Sequence, residues 1–372
     1  MTVTQRSTPP FRAEHVGSLI RPAGLREARE AWMAGKMPAA ELKAVEDQCI
    51  DEAVALQERV GLHAVTDGEF RRPSWRDGFF DNVDGFSRER QAADFVFKLA
   101  DGTTQRTAPV PHVVSRLVRR RGIATREFEY LKSRTRRTPK ITLPAPSVMH
   151  FFRGGRSIDP AVYADVAEYM ADVTRIYREE LAELAALGCR YVQLDEVALP
   201  VMCDAGAQEI VRARGESVER TVALYIEALN QVVRDRPAGM TIMVHMCRGN
   251  VGEGIAATGY DPIAERAFAT LDVDGFLLEY DTPRAGDFAP LRFVPKDKFV
   301  ALGLISTKVP DVEDADGLRR RIDEAARVFP INRLGLCPQC GFASGFRTAR
   351  LTIADEERKL ANLVQVAEQV WG

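Results

Sequence analysis

Short apolar runs alternate with amphipathic stretches along most of this chain. Runs rich in β-branched and aromatic residues predict eight strands, near residues 15, 63, 140, 190, 240, 274, 299 and 332. Most neighbouring runs are separated by a stretch whose apolar positions recur every three or four residues, which is typical of a helix that packs by one face. Alternating strands and helices predict an α/β fold, and eight units favour a (β/α)8 TIM barrel.

The individual elements follow from where each pattern begins and breaks. Strands are predicted at residues 15–19, 63–67, 139–144, 190–196, 240–246, 273–279, 298–304 and 332–336. Helices are predicted at residues 23–34, 38–60, 160–187, 216–235, 261–269, 313–328 and 351–371. A doubly wound sheet is the alternative architecture, but no glycine-rich nucleotide loop follows any predicted strand, which favours the barrel.

Residues 76 to 138 interrupt the alternation. Two segments there, at 95–99 and 109–114, resemble the strands of a β-ribbon, and basic runs at 116–121 and 132–137 follow them. We interpret this stretch as an insertion after the second strand of a single domain that spans residues 1–372. Because the whole chain is close to neutral, a solvated surface explains the basic runs better than a nucleic-acid site does.

Composition narrows the class of protein. The 372 residues are 45% hydrophobic and 28% charged with a net charge of −2, as in ordinary globular proteins. This balance gives no electrostatic reason to expect nucleic acid or an anionic membrane as a partner, and no apolar stretch approaches the length that spans a bilayer. The first residues lack the apolar core of a signal peptide, so the six cysteines predict reduced thiols and a cytoplasmic location.

Two residues at the end of the run 240–244 carry the clearest chemical signal. His245 and Cys247 are two positions apart, so on an extended strand end both side chains lie on one face. An imidazole nitrogen and a thiolate are two of the usual zinc ligands, and Glu279 and Cys340 are candidates for two more. The alternatives are that the cysteines only pack in the core, or that Cys337 and Cys340 form a redox pair or half of a zinc knuckle.

A barrel would bring the four candidate ligands together, because the C-terminal ends of its strands form the face that carries catalysis. All four lie at or just past the ends of the fifth, sixth and eighth predicted strands. Other polar residues at strand ends belong to the same face: Ser18, Asp67, Glu69, Asp195, Glu196 and Ser306. The predicted architecture therefore favours a metal site over core packing.

Six ordered motifs resemble the catalytic barrel of cobalamin-independent methionine synthase, from about residue 11 to the C-terminus. They are Val16-Gly17-Ser18, Asp67-Gly68-Glu69, Gln193-Leu194-Asp195-Glu196, His245-x-Cys247, Glu279 and Cys340-Gly341. The single-barrel form most resembles the stand-alone methionine-synthase-like proteins of bacteria. Epoxyalkane:coenzyme M transferases belong to the same zinc superfamily.

The resemblance implies a role for each matched residue. Zinc (Zn2+) would be held by His245, Cys247, Glu279 and Cys340. The amino and carboxylate groups of homocysteine would be held by Ser18, Glu69 and Asp195. Two carboxylates would stabilise an ammonium group in a partly dry pocket. The alternative for Asp195 is that it only caps the end of its strand.

Some family features are missing. The sequence contains no counterpart of the N-terminal barrel that helps the full-length enzyme to hold polyglutamylated folate. Ile305 stands where the family has a histidine thought to transfer a proton. The tryptophan expected to stack on folate has no clear counterpart in residues 146–155, where Phe151 or Phe152 could stack on a donor or pack in the core.

The resemblance implies a zinc-dependent thiol alkyltransferase that methylates homocysteine, or a similar thiol, from a donor such as 5-methyltetrahydrofolate. A nitrogen leaving group needs a proton, and His15 or His150 could supply it in place of the missing histidine. The first alternative is the opening of an epoxide by coenzyme M, whose sulfonate an arginine near a strand end, such as Arg71, would bind. The second is a non-catalytic metal-binding barrel. Both alternatives stay open here, and a homo-oligomer is compatible with the sequence.

Overall fold

Strands and helices alternate along the chain. The computed structural model describes residues 6–98, 104–249, 259–346 and 349–372. The strands are β1 (Ala64–Val65), β2 (Val83–Gln91), β3 (Val96–Lys98), β4 (Thr104–Arg106), β5 (Val110–Arg119), β6 (Thr138–Pro139), β7 (Ile141–Pro144), β8 (Tyr191–Glu196), β9 (Thr241–Met246), β10 (Gly275–Glu279), β11 (Phe299–Ile305) and β12 (Leu334–Pro338). The helices are α1 (Ala23–Met33), α2 (Ala39–Arg59), α3 (Asp77–Asn82), α4 (Thr125–Arg134), α5 (Val148–Phe151), α6 (Val166–Ala186), α7 (Ala198–Val201), α8 (Ala205–Ala213), α9 (Val218–Val233), α10 (Asp261–Thr270), α11 (Ala315–Ala326) and α12 (Ile353–Trp371).

Six parallel strands form the centre of the fold, in the order β12–β11–β10–β9–β8–β7. Nearly all their residues are buried on both faces, which is why they read in the sequence as continuous apolar runs. At the β7 end of the sheet, β1 pairs in parallel with β6. At the β12 end, Glu14 N donates to Leu336 O at 2.9 Å, and Leu336 N donates to Arg12 O at 2.8 Å. The predicted α/β class is confirmed.

Hydrogen bonds also join the segment at residues 17–19 to the segment at residues 66–68, which includes the end of the second predicted strand. Leu19 N donates to Gly68 O at 3.1 Å. The Thr66 hydroxyl donates to Gly17 O at 2.7 Å. The six-stranded sheet, the β1–β6 pair and the segment bridged to β12 at Ala13 therefore follow one another in the order expected of a (β/α)8 barrel.

The first strand position differs from the prediction. Its pairing with β12 is a bridge between Ala13 and Leu336, and residues 15–19 run as irregular backbone. Gly17 has a φ of +121°, which suits glycine and ends an extended strand. A Cβ atom at this position would also come within 2.4 Å of Thr142 Cγ2. The predicted strand at 15–19 is therefore wrong, because this segment is the turn that leaves the strand.

Residues 76 to 138 contain more regular structure than the sequence pattern predicts. Strands β2 and β5 form an antiparallel ribbon, and β3 and β4 form a second one. The predicted strand at 95–99 corresponds to β3, although Leu99 lies outside the described residues. Helix α4, which is not predicted, packs against α2 and α6 of the outer layer. In the basic run, the side chains of Arg116 and Arg120 are about half exposed and pair with Glu168 and Asp84, so the solvated face stays a prediction with which these contacts agree.

Helices α7 and α8 are also absent from the predicted elements. Residues 197–203 form an unbroken buried apolar stretch, so they show no helical period. Asp204 caps the N-terminus of helix α8, because its side chain accepts a hydrogen bond from Ala207 N at 2.9 Å. Among the helices of the described residues, none combines the length and apolar character needed to cross a membrane.

A buried ion pair lies inside the barrel. Lys140 Nζ is 3.2 Å from Glu14 Oε2, and both side chains are fully buried. Glu14 Oε1 also accepts from Tyr191 OH at 2.6 Å, and Lys140 Nζ donates to His15 O at 2.6 Å. The surrounding apolar side chains come from the barrel interior: Phe11, Val16, Ala64, Met243, Leu277, Phe299, Ala301 and Cys337. The pair ties the first strand position to β8 and to the residue between β6 and β7.

Lys140→Met should lower the free energy of unfolding by about 3–5 kcal/mol, because it leaves the buried Glu14 carboxylate without its counter-charge. Urea unfolding followed by circular dichroism measures this loss. Lys43→Met is the matched control, since Lys43 pairs with Asp47 at 2.5 Å but its side chain is 63% exposed. The control should lose less than about 1 kcal/mol. Equal losses in the two variants would contradict a special role for the interior pair.

Candidate metal centre

Four side chains converge at the C-terminal ends of the strands. One ligand atom from each of them lies within 4.8 Å of the others, and all four residues are buried: His245, Cys247, Glu279 and Cys340. His245 is in β9, Cys247 directly follows β9, Glu279 ends β10, and Cys340 follows β12. Nearly one hundred residues of sequence separate the first ligand from the last, so the sheet is what brings them together.

Strand register explains this convergence. In the β9–β10 ladder Leu277 pairs with His245 and Leu278 with Met246, so Glu279 comes level with Cys247. Tyr260 holds the two strand ends, because its hydroxyl donates to Met246 O at 3.0 Å and accepts from Glu279 N at 2.8 Å. On the other side of β9, Cys247 N donates to Glu196 O at 2.8 Å. The ligands therefore sit on backbone that is fixed from both neighbouring strands.

The His245 ring is oriented toward the cluster. Its Nδ1 lies 3.3 Å from Leu277 O, which assigns the proton to Nδ1 and leaves a lone pair on Nε2. Nε2 is buried and has no hydrogen-bond partner among the described residues. A backbone carbonyl that holds the second nitrogen is the usual support for a metal-binding histidine. The unpartnered nitrogen thus fits a metal ligand.

Cys247 and Glu279 place negative charge in the same small space, next to the neutral Cys340 thiol. Cys247 Sγ is 3.6 Å from Cys340 Sγ. Hydrogen bonding from Cys340 holds the pKa of Cys247 well below its usual value, against the effect of burial. Burial and the nearby Cys247 raise the pKa of Glu279 to about 7. Anions gathered in this way favour a bound cation, and one nitrogen, two sulfurs and one oxygen form a donor set typical of zinc.

Arg248 holds the Glu279 carboxylate. Its backbone N–H donates to Glu279 Oε1 at 2.8 Å, and its Nε lies 3.6 Å from Glu279 Oε2. The Arg248 side chain is fully buried, and its guanidinium donates to Arg284 O at 3.1 Å. One arginine thus orients a candidate ligand and compensates part of its charge.

A pair of buried carboxylates lies next to the four ligands. Asp195 is the register partner of His245 in the β8–β9 ladder. Burial and the charge of Glu69 raise the pKa of Asp195 to about 7. Gln193 Nε2 donates to Asp195 Oδ1 at 2.7 Å, and Oε2 of Glu69 is buried with no hydrogen-bond partner among the described residues. A cationic group placed between the two carboxylates would relieve their repulsion.

Ser18 also belongs to this site. Phe342 N donates to Ser18 O at 3.0 Å, so the serine lies against the segment that follows Cys340. A Cβ atom at Gly341 would come within 1.9 Å of Ser18 Oγ, so only glycine allows this close approach. The predicted residues Ser18, Glu69 and Asp195 are therefore near the four candidate ligands.

Two other predicted site residues are not brought to the cluster. Arg71 lies on the helical side of the barrel, where its guanidinium binds Asp47 at 2.5 Å and stacks over the Tyr130 ring at 4.7 Å. The Phe151 ring is fully buried and stacks on Phe95 with 4.2 Å between ring centroids, so it packs in the core. Both side chains thus have structural partners, and the neighbouring Arg72 lies closer to the carboxylate pair.

The two candidate proton donors are deeply buried. Burial lowers the pKa of both His15 and His150 to about 3, so both rings are neutral at pH 7. His150 Nδ1 lies 2.9 Å from Tyr225 OH, and neither ring nitrogen of His15 has a hydrogen-bond partner among the described residues. Ile305, at the position of the family histidine, is fully buried in the apolar core. The Cys337 thiol lies inside the barrel, where burial raises its pKa.

Thr142 and Arg72 are the site residues whose importance the sequence does not reveal directly. Thr142 donates its hydroxyl to Glu69 Oε1 at 2.8 Å, and Arg72 donates to the same hydroxyl at 3.0 Å. A signal was present in the predicted strand 139–144: Lys140 and Thr142 are polar residues two positions apart in an otherwise apolar run, so both face the barrel interior.

Comparison with known proteins agrees with this geometry. Residues 11–369 match the family model described as the catalytic domain of cobalamin-independent synthase. The chain is 38% identical to the uncharacterized protein YxjH of Bacillus subtilis (strain 168), covering 100% of this chain and 97% of that protein. A solved structure from Listeria monocytogenes, described as a candidate vitamin-B12 independent methionine synthase, superimposes with a TM-score of 0.74 and 30% identity over 99% of this chain and 100% of that one.

A more distant relative carries a named activity. The chain is 25% identical to the 5-methyltetrahydropteroyltriglutamate–homocysteine methyltransferase of Mycobacterium tuberculosis (strain H37Rv) over 97% of its own length. It covers 43% of that enzyme. The family match, which includes nearly every described residue and all four convergent ligands, shows that this chain belongs to the cobalamin-independent methionine synthase catalytic-domain family.

Proposed function

We propose that this protein is a zinc-dependent methyltransferase that methylates the sulfur of homocysteine or a closely similar amino-acid thiol. The observation that carries the proposal is the buried carboxylate pair, Glu69 and Asp195, beside four convergent metal-binding side chains. Family membership supports transfer of a methyl group to a thiol, and the mycobacterial relative is named for methylation of homocysteine. The carboxylate pair supports the choice of an amino-acid thiol over a thiol without an ammonium group.

His245, Cys247, Glu279 and Cys340 would hold the zinc ion. When bound, zinc would lower the pKa of a substrate thiol so that the sulfur is available as a nucleophile near neutral pH. Arg248 keeps the Glu279 carboxylate in place, and Leu277 O keeps the His245 ring in place. These contacts organise the ligand set before any substrate arrives.

Glu69 and Asp195 would bind the substrate ammonium, and the Ser18 hydroxyl would lie beside its backbone atoms. Burial makes the carboxylate pair costly by itself, as the raised pKa of Asp195 shows. An ammonium group placed between them would neutralise part of that charge. This arrangement would orient the sulfur of the amino acid toward the metal ligands.

The transfer balances without an oxidant or reductant. A new S–CH3 bond forms as the donor's N–CH3 bond breaks, and the electron pair of the broken bond stays on nitrogen. The leaving nitrogen takes up a proton, and the substrate thiol releases one. His15 and His150 are neutral at pH 7, so neither of them would serve as a cationic acid for this step. A methyl-tetrahydrofolate is the donor that family membership suggests.

Cys340→Ala should weaken zinc binding by at least about 100-fold, because it removes one of four ligands. Cys337→Ala is the matched control, since that thiol lies three positions away inside the barrel, and its zinc content should equal that of the wild type. Competition with a chromophoric chelator measures both affinities. Full zinc in Cys340→Ala, with loss in Cys337→Ala, would move the ligand assignment to Cys337.

Homocysteine should perturb the d–d and sulfur-to-metal bands of the cobalt-substituted protein at lower concentration than 4-mercaptobutanoate, which lacks the amino group, or coenzyme M. Asp195→Asn should raise the apparent Kd for homocysteine by about 10- to 100-fold, because an ion pair to a buried carboxylate is lost. Asp84→Asn, at an exposed carboxylate on the β2–β5 ribbon, serves as the control. Preferential binding of coenzyme M would favour epoxide opening, and no response to any thiol would contradict the proposed function.

A further inference from the structure

We infer that Thr142, oriented by Arg72, is a positioning residue that sets which oxygen of Glu69 receives the substrate ammonium. The inference rests on the proposed function, because it concerns how the ammonium of the amino-acid thiol is recognised. According to this inference, the Thr142 hydroxyl contributes to the preference for a thiol that carries an ammonium group over one that lacks it.

The two oxygens of Glu69 have different surroundings. Oε1 accepts the Thr142 hydroxyl at 2.8 Å, whereas Oε2 is buried and has no hydrogen-bond partner among the described residues. The Glu69 backbone is also constrained, with a φ of 62° that is uncommon for a residue other than glycine. Its N–H donates to Asp67 Oδ1 at 2.9 Å, which holds this conformation. One oxygen is thus committed to the protein, and the other is free for a ligand.

The direction of the Thr142 hydrogen bond follows from chemistry alone. An arginine guanidinium can only donate hydrogen bonds, and an ionised carboxylate can only accept them. Because Arg72 donates to Thr142 Oγ1 at 3.0 Å, the single hydroxyl proton is left for Glu69 Oε1. The chain of hydrogen bonds therefore runs in one direction, from Arg72 to Thr142 to Glu69, and the Thr142 hydroxyl occupies Glu69 Oε1.

Arg72 is itself held from several sides. Its guanidinium donates to Thr142 O at 3.2 Å and to Trp75 O at 3.3 Å. Its Nε lies 3.5 Å from Glu127 Oε2 of helix α4. Although burial lowers the pKa of Arg72, the carboxylates of Glu127 and Glu69 raise it above the usual value, so the charge is retained. The donor that orients Thr142 is consequently fixed.

The two branches of the Thr142 side chain have separate contacts. The methyl group lies against the backbone of Gly17, so closely that a Cβ atom there would be 2.4 Å from Thr142 Cγ2. The hydroxyl contacts Glu69 and Arg72. Thr142→Val keeps the methyl contact and removes the hydroxyl, whereas Thr142→Ser removes the methyl and keeps the hydroxyl. The pair of variants therefore separates packing from hydrogen bonding.

Without the hydroxyl, Oε1 and Oε2 of Glu69 become equivalent acceptors, and the carboxylate is free to rotate or to pair with Arg72 directly. Either change takes negative charge away from the position opposite Asp195. The expected consequence is weaker binding of the ammonium group with no effect on the metal ligands. Charge-assisted hydrogen bonds of this kind contribute enough for a loss of about tenfold in affinity.

The test is a thiol titration of the cobalt-substituted full-length protein. Thr142→Val should raise the Kd for homocysteine about tenfold and leave the Kd for 4-mercaptobutanoate unchanged. Thr142→Ser should bind both thiols like the wild type. Zinc content and thermal unfolding are measured in parallel, and Thr142→Ala, which cannot crowd Gly17, replaces the valine variant if the latter fails to fold.

The outcomes separate this inference from the proposed function. A wild-type protein that binds the two thiols equally well has no ammonium site, and that result overturns both. A wild-type preference for homocysteine that survives in Thr142→Val or Thr142→Ala overturns only the role of Thr142. Equal weakening of both thiols by the valine variant would mark Thr142 as a packing residue and would also overturn the inference.

Discussion

The concentration of buried negative charge at the C-terminal ends of the strands is the constraint on which the other features of this structure depend. Two thiols and three carboxylates lie within one small, nearly dry region. Burial, together with the charge of Cys247 near Glu279 and of Glu69 near Asp195, raises the pKa of both carboxyl groups to about 7. Cations from the protein, a metal or a substrate would compensate this charge and favour the ionised forms.

The protein supplies part of that compensation from buried arginines that also act as supports. Arg248 binds Glu279 through both its backbone and its side chain, on the side of the candidate metal ligands. Arg72 occupies the corresponding position on the side of the carboxylate pair, where it contacts Thr142. Neither arginine neutralises the whole cluster, so a dication on one side and an ammonium on the other remain chemically favoured. The proposed function therefore assigns the four convergent ligands to a metal half of the site and the carboxylate pair to an amino-acid half.

Helix α4 links the stretch between residues 76 and 138 to the chemistry of the barrel. Glu127 of α4 reaches Arg72, and Tyr130 of the same helix stacks on Arg71. Arg72 therefore lies beside the candidate substrate site, whereas the neighbouring Arg71 lies in the helical layer. The stretch 76–138, which interrupts the strand–helix alternation, therefore helps to hold Arg72 next to the candidate substrate site through Glu127.

Much of the fold and the metal half of the site could be predicted from the sequence, because both depend on local patterns. Apolar runs and helical periods determined the order of the elements, and the placement of His245, Cys247 and Glu279 at strand ends followed from that order. The start of the barrel at Ala13 and the irregular backbone of residues 15–19 could not be predicted, because they depend on pairing with β12, more than 300 residues away.

In the proposed amino-acid half of the site, too, some residues could be predicted from the sequence and others only from the tertiary structure. Sequence motifs pointed to Glu69 and Asp195, but the arginine chosen from the sequence was Arg71, whereas Arg72 is the one that contacts Thr142 beside Glu69. That choice depends on which way the backbone turns after Glu69, where φ is 62°. By itself the sequence determined the type and order of the chemical groups. Tertiary structure alone decided which of them share one buried space, because distance and burial, and with them the electrostatic coupling, arise only when distant strands come together.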